Sequence, residues 1–345
     1  MSAPFQSGDL FAQATSIEAR EAPRQSVDVA ELEARTTPLV LRDFAADWPA
    51  VRAARTSTPD AIDYFRRFDV GAVVPIAVGP PAIRGRIFYD DAHTGINVDR
   101  GQAYFSTLLD QLSEHGTKDT PPAIYMASVG LDECVPGFAA ENPVDFGGRD
   151  PLASLWIGTK TRIAAHNDLP LNVACVAAGR RRFTLFPPDQ TPNLYVGPFE
   201  HTPAGRPISL VDFHDPDLVR FPRFARAAEV AQTVILEPGD ALFIPSMWWH
   251  HVEALEAFNV LVNYWWRRSP KHLGTPQDAL MHAMLALRDL PEDERETWRG
   301  LFDHYVFGDA DTPRAHVPDA IRGLLSPIDE GLAARVKGYL RGRLK

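Results

Sequence analysis

The chain is short of cysteine. Only Cys134 and Cys175 occur in 345 residues, too few for a disulfide framework, and the count fits a reducing compartment. Cys175 lies in the apolar run Asn172-Val173-Ala174-Cys175-Val176 and reads as a small core residue. Positive charge is also scarce. Lys and Arg number 35 against 45 Asp and Glu, a net charge of −10, so neither nucleic acid nor an anionic membrane is an expected partner. One local basic cluster stands out, Arg180-Arg181-Arg182. No apolar run reaches transmembrane length. The opening MSAPFQSGDLFAQ has no basic stretch followed by an apolar one, so no signal peptide is expected. These absences point to a cytoplasmic protein. Internal repeats and low-complexity tracts are missing too.

Proline is abundant instead. Thirty prolines break the chain into short pieces and argue against a long-helix architecture. Hydrophobic residues at 45% and charged residues at 23% are an ordinary globular balance. Residues 1–27 read as a polar, loosely held leader. Residues 28–270 read as one domain that opens with helical and extended pieces. Thr58-Pro59-Asp60 starts a helix, 83–89 reads as a strand, Gln102–His115 as an amphipathic helix, and Ala123–Ser128 as another strand. From about 154 to 267 short apolar strands follow one another: Leu171–Ala177, Arg182–Phe186, Thr233–Leu236, Ala241–Ile244, Trp249–Ala254 and Asn259–Trp266. The Glu237-Pro238-Gly239-Asp240 turn reads as a hairpin connection, and the last two strands as a second hairpin. This pattern predicts a sandwich or barrel. Residues 271–345 have helical periodicity and no strand signal. Apolar positions such as Leu280, Met284, Leu287, Leu332, Val336 and Leu340 make this region a possible dimerisation surface.

Two stretches carry chemistry. His166-Asn167-Asp168 puts an imidazole and a carboxylate two residues apart, on one face if the segment is a strand. Pro245-Ser246-Met247-Trp248-Trp249-His250-His251 brings a histidine pair into an apolar setting, where a buried imidazole needs a partner. Neighbours on a strand face opposite ways, so one of His250 and His251 can reach the ion held by His166 and Asp168. Parity alone does not choose between them. Two histidines and one carboxylate suit a non-haem Fe(II) site with open positions. The plain alternative is a set of core histidines bonded to backbone.

The ordered series His166-Asn167-Asp168, Phe186-Pro187-Pro188-Asp189-Gln190, Glu237-Pro238-Gly239-Asp240, Trp248-Trp249-His250-His251 and Asn263-Tyr264-Trp265 resembles the JmjC/cupin-like 2-oxoglutarate oxygenases. It resembles most of all the branch that contains the asparaginyl hydroxylase of hypoxia-inducible factor. The segments Pro38–Pro49 and Gly85–Asp91 agree, so the resemblance spans roughly residues 35 to 267. It implies a mainly β fold, a double-stranded β-helix (cupin or jelly-roll barrel) with N-terminal α/β elements and a C-terminal helical region that dimerises. It implies Fe(II), 2-oxoglutarate and O2 as cofactor and cosubstrates. It selects His251 to complete a metal site with His166 and Asp168. Arg181 stands where the branch has a lysine for the far carboxylate of 2-oxoglutarate, and an arginine can pair that group bidentately. Tyr125, Asn172 and Asn263 match positions near the cosubstrate. Ile163 stands where a threonine hydroxyl is expected, a departure that removes one donor. The implied substrate is a protein side chain, a peptide or a small molecule. Two rival readings are a cupin metalloenzyme that does not use 2-oxoglutarate and a non-enzymatic sensing or interaction module.

Overall fold

A computed structural model describes residues 10–11, 14–22, 24–116 and 118–344. The chain divides into two units, Met1–Arg267 and Arg268–Lys345. Among the described residues of the first unit, the strands in chain order are β1 (Thr15–Ser16), β2 (Ala19–Glu21), β3 (Leu39–Arg42), β4 (Val73–Gly79), β5 (Arg86–Ile87), β6 (Asp99–Tyr104), β7 (Ala123–Gly130), β8 (Leu152–Gly158), β9 (Arg162–His166), β10 (Leu171–Ala178), β11 (Arg181–Phe186), β12 (Gln232–Leu236), β13 (Ala241–Ile244), β14 (Trp249–Ala254) and β15 (Asn259–Trp266). Six form a sheet in the order β1-β12-β11-β14-β9-β5. Nine form another in the order β2-β3-β13-β10-β15-β8-β7-β4-β6. From β8 to β15 the chain crosses between the two sheets at every step except β11 to β12, which pair within the six-stranded sheet, and this is the double-stranded β-helix that the resemblance implied.

That winding corrects two sequence expectations. β12 and β13 do not form a hairpin, and neither do β14 and β15, because the members of each pair lie in different sheets. The short turns carry the chain across the barrel rather than back along the same sheet. At the Glu237–Asp240 turn, Gly239 has φ +105°, and the Asp240 carboxylate accepts the backbone N–H of Glu237 at 3.0 Å and of Asp43 at 3.1 Å. The side chain thus ties the crossing to the neighbouring edge of the nine-stranded sheet. Gly179, φ +70°, makes the crossing from β10 to β11.

Three further differences come from the N-terminal half. The first nine residues of the expected leader lie outside the described residues. Later in that segment β1 pairs with β12 and β2 with β3, so it adds a strand to each sheet rather than lying loose. The strand expected over 83–89 shrinks to Arg86–Ile87 behind a short turn at Pro81–Ile83. The helix expected from Gln102 begins at Phe105, because Gln102–Tyr104 pair with Val73–Pro75 in β6.

Strand β10 shows how the barrel is placed. All eight of its residues are buried. Val173, Cys175 and Ala177 face a helical layer that includes Trp48, Phe65, Phe105 and Phe138. Ala174 and Val176 face the other sheet, against Phe183 and Leu185. A strand covered on both sides reads as a continuous apolar run, and the one polar residue in it, Asn172, falls on the barrel side. The second unit holds helices Pro276–Leu287, Glu292–Phe302 and Glu330–Arg343. Thr275 and Asp329 cap the first and third through bonds to Asp278 N (3.2 Å) and Leu332 N (2.7 Å). Leu332 and Ala333 are the buried residues of the third helix, whereas Leu285 (80% exposed), Phe307 (75%) and Tyr339 (67%) are open.

Candidate metal centre and adjoining cavity

Strands β9 and β14 run antiparallel, with His166 directly opposite His250. Opposed residues share a face, so both imidazoles enter the barrel. Asp168, just past the end of β9, joins them. The ligand-capable atoms of His166, Asp168 and His250 lie within 4.8 Å of one another. His250 Nε2 is 3.7 Å from Asp168 Oδ2. The two histidine rings are 4.3 Å apart at 55°.

The backbone sets both tautomers. His166 Nδ1 bonds the Ala164 carbonyl at 2.9 Å, and His250 Nδ1 bonds the Trp248 carbonyl at 3.0 Å. A carbonyl only accepts, so each Nδ1 carries the proton and each Nε2 keeps a lone pair free for an ion. Burial, reinforced by the neighbouring His166 and opposed by Asp168 and the Trp248 carbonyl bond, pushes the His250 pKa well down. A neutral imidazole is the ligand form. The two halves of the triad are tied together by Met247 N–H to Asp168 O at 2.8 Å and Ser246 Oγ–H to Leu169 O at 2.6 Å. Two imidazole nitrogens and one carboxylate oxygen gathered at the wall of one cavity are a donor set that suits a metal with open positions.

This geometry corrects the expectation that His251 completes the site. His251 is the register partner of Thr184 and turns to the opposite face of the sheet. There its ring lies 4.6 Å from Phe213, tilted by 32°. Its Nδ1 is 4.0 Å from Glu253, which also receives a hydrogen bond from His214. Both histidines are about 5% exposed, so burial does not distinguish them. The pairing of β14 with β9 does.

A cavity of about 410 Å³ opens beside the triad. Arg181, Tyr125, Asn172 and Asn263 all line it. Arg181 is 2% exposed, its Nε has no hydrogen-bond partner, and among the described residues it makes no ion pair. Burial pulls its pKa down to about 10, partly offset by the nearby Tyr125 hydroxyl, so the guanidinium remains charged at neutral pH. Burial raises the Tyr125 pKa and the Arg181 charge opposes that. Arg180 and Arg182 turn the other way, to Glu256 at 2.6 Å and Glu253 at 3.4 Å. Asn263 Nδ2 donates to Asn172 Oδ1 at 2.9 Å, while Asn263 Oδ1 is buried without a partner. A charged guanidinium and an amide oxygen buried without partners in one cavity are costly unless a ligand meets them. A dianion chelating a metal at one end and pairing Arg181 at the other fits those residues.

Sequence reasoning did not single out four residues, His250, Trp156, Trp265 and Arg206. His250 could have been chosen only from strand pairing. Of the five tryptophans near the motifs, Trp156 and Trp265 line the cavity. For Trp265 the signal was available, since it lies two residues beyond Asn263 on one strand face. Arg206 approaches the triad, with Nε 3.7 Å from Asp168 Oδ1. It comes from the long connection between β11 and β12, and no periodicity announces it.

A family model described as a cupin-like domain matches residues 24–272. HSPB1-associated protein 1 of Rattus norvegicus is 36% identical over 166 residues, 45% of this chain and 33% of the relative. Lysine-specific demethylase 8 of Danio rerio is 30% identical over 239 residues, 66% of this chain and 53% of the relative. Lysine-specific demethylase JMJ31 of Arabidopsis thaliana is 32% identical over 126 residues, 35% of this chain and 22% of the relative. The matched stretches therefore span between about a fifth and a half of these relatives. Among the described residues no helix is long and apolar enough to cross a membrane.

Proposed function

The chain belongs to the cupin-like domain family, of the JmjC oxygenase type, and from that premise we propose that it is an Fe(II)- and 2-oxoglutarate-dependent oxygenase that hydroxylates a C–H bond of a protein side chain, a peptide or a small molecule. One observation carries this reading. The His166–Asp168–His250 triad and the buried Arg181, which has no ion pair among the described residues, line the same cavity.

In this reading His166, Asp168 and His250 hold the metal. Arg181 pairs the far carboxylate of 2-oxoglutarate, and Tyr125, Asn172 and Asn263 orient the rest of it. Bound there, iron supplies the oxidising chemistry, spending O2 and turning 2-oxoglutarate into succinate and CO2. The barrel does what a protein can do for such chemistry: it fixes orientation and excludes water. The apolar wall of Ile163, Phe183, Ile244, Val252 and Leu261 serves the second purpose. The lysine demethylase named among the relatives and the hydroxylase proposed here share one reaction class, because hydroxylation of an N-methyl carbon leads to its loss.

The test is anaerobic. Purified protein with Fe(II) should develop a visible charge-transfer band when 2-oxoglutarate is added, and on admitting O2 it should release succinate. A band without succinate in the presence of cell-derived peptides and metabolites would count against the hydroxylase, and absence of the band would count against 2-oxoglutarate use. We propose further that the protein acts in the cytoplasm as a homodimer formed through the helices of the second unit.

A further inference from the structure

Trp156 carries a buried indole N–H that nothing in the described structure accepts. Its neighbours give it a direction. Trp156 lies on β8, two residues before Gly158, and Gly158 is the register partner of Tyr125 on β7. The Tyr125 and Trp156 rings are 6.0 Å apart at 33°. Both line the cavity that holds Arg181, and they pack with Ile163, also a lining residue, in one apolar cluster. Trp265 stands 5.9 Å away at 89° and belongs to the other end, opposite Asn172 in the register. Arg181 Nε and Trp156 Nε1 are thus buried donors without partners among the described residues, and both line the cavity at its Tyr125 end; Trp265 Nε1 is a further such donor, placed opposite Asn172 instead. An unpaired buried N–H is expensive, and an indole N–H at the same end of a cavity as a charged guanidinium whose own Nε is unpaired describes a place for an anion.

We propose that the Trp156 indole N–H is a third donor, with Arg181 and Tyr125, to the far carboxylate of a 2-oxo dicarboxylate. This rests on the reading of the protein as a 2-oxoglutarate oxygenase and adds a residue that reading does not require. Ile163 faces the same end, so the chain puts an apolar methyl group there and draws its extra donor from the tryptophan across the barrel.

The test measures binding rather than turnover. Mn(II)-loaded protein is titrated without O2 with N-oxalylglycine, an unreactive dicarboxylate, and with pyruvate, which has the chelating end but no far carboxylate. Trp156→Phe keeps the ring and removes the N–H. It should weaken N-oxalylglycine about tenfold and leave pyruvate unchanged. Adding Ile163→Thr to Trp156→Phe, which supplies a hydroxyl at the same end, should recover most of the loss. Equal binding of N-oxalylglycine by wild type and Trp156→Phe overturns this inference alone. Failure of wild type to bind N-oxalylglycine in the presence of Mn(II) overturns both it and the reading beneath it. If Trp156→Phe does not fold, Ile163→Thr in the wild-type chain decides. A complete donor set predicts affinity within about twofold of wild type, whereas a tenfold gain would mean that the far carboxylate lacked a donor and that Trp156 does not serve it.

Discussion

At the scale of single residues, the choice between His250 and His251 has the sharpest consequence. His250→Ala should abolish stoichiometric Fe(II) binding, because it removes one of three ligand atoms. His251→Ala should keep the metal, since that side chain faces Phe213 and Glu253. Iron content after anaerobic dialysis decides, and retention of iron by His250→Ala with its loss from His251→Ala would reverse the assignment. Arg181 is the second such residue. Arg181→Met should weaken 2-oxoglutarate by two to three orders of magnitude, from about 3–5 kcal/mol for breaking a buried charge pair. Iron affinity should stay as it was. Arg180→Met should do neither, because Arg180 is exposed and paired with Glu256. Anaerobic titrations of 2-oxoglutarate into each variant compare them, and equal small effects would place the anchor elsewhere. The histidine pair also marks where sequence ends and structure begins. His166 and Asp168 were legible as a pair by their spacing, although the strand ends at His166 and Asp168 joins it from just beyond. His250 and His251 are adjacent and equally buried, and only the partner strand tells them apart.

At the scale of elements, the crossings between sheets bear the precision of the site. Gly179 lets β10 pass into β11 two residues before Arg181. A Cβ there would sit 2.4 Å from Asn259 Oδ1 and 2.6 Å from the Phe258 carbonyl, at φ +70°. Backbone cannot step aside cheaply, so Gly179→Ala should destabilise the fold by about 3 kcal/mol and loosen 2-oxoglutarate binding with it. Urea unfolding reads the first and titration the second; an unchanged midpoint would show that the turn relaxes. The outer face of β14 offers a pH test. Burial alone would raise the Glu253 pKa, but the His214 hydrogen bond and the charges of His251, His214 and Arg182 outweigh it and hold it at about 2. A folded pKa below the ordinary carboxylate value means stability that is present above that value and lost as pH falls through about 2. Between about pH 5 and pH 3 the loss should be about 2 kcal/mol. Glu253→Gln should remove that slope, and urea midpoints at both pH values for the two proteins check it. The crossings were also what the sequence hid. Alternation and turn residues mark strands and their ends, and those were legible, but a Pro-Gly-Asp turn looks alike whether the next strand pairs with the last or leaves for the opposite sheet. The hairpins expected at 233–244 and 249–266 failed for that reason, while the barrel itself was legible from the order of its motifs.

At the scale of the whole molecule, the two units differ in how much they bury. The barrel unit has a continuous core, with β10 covered on both faces. The second unit shows large apolar side chains in the open: Leu280 (50% exposed), Leu285 (80%), Val306 (61%), Phe307 (75%) and Tyr339 (67%). Of the positions singled out from helical periodicity, Leu332 is buried and Leu340 is 41% exposed. Periodicity finds a stripe; it does not say whether the stripe meets the same chain or another. Exposed apolar surface spread along three helices is unfavourable in water and commonly marks an association surface. A second copy of the chain, meeting these helices with its own, would cover it through a self-complementary two-fold contact. Light scattering should therefore give a dimer for the full chain at micromolar concentration. Leu285→Glu with Phe307→Glu should give a monomer, since charge buried in such an interface costs far more than it returns. Iron content of the monomeric variant should be unchanged, because the triad and its cavity are built from the first unit alone. A full-length monomer would sink the homodimer, and loss of iron on dissociation would mean that the site depends on the partner.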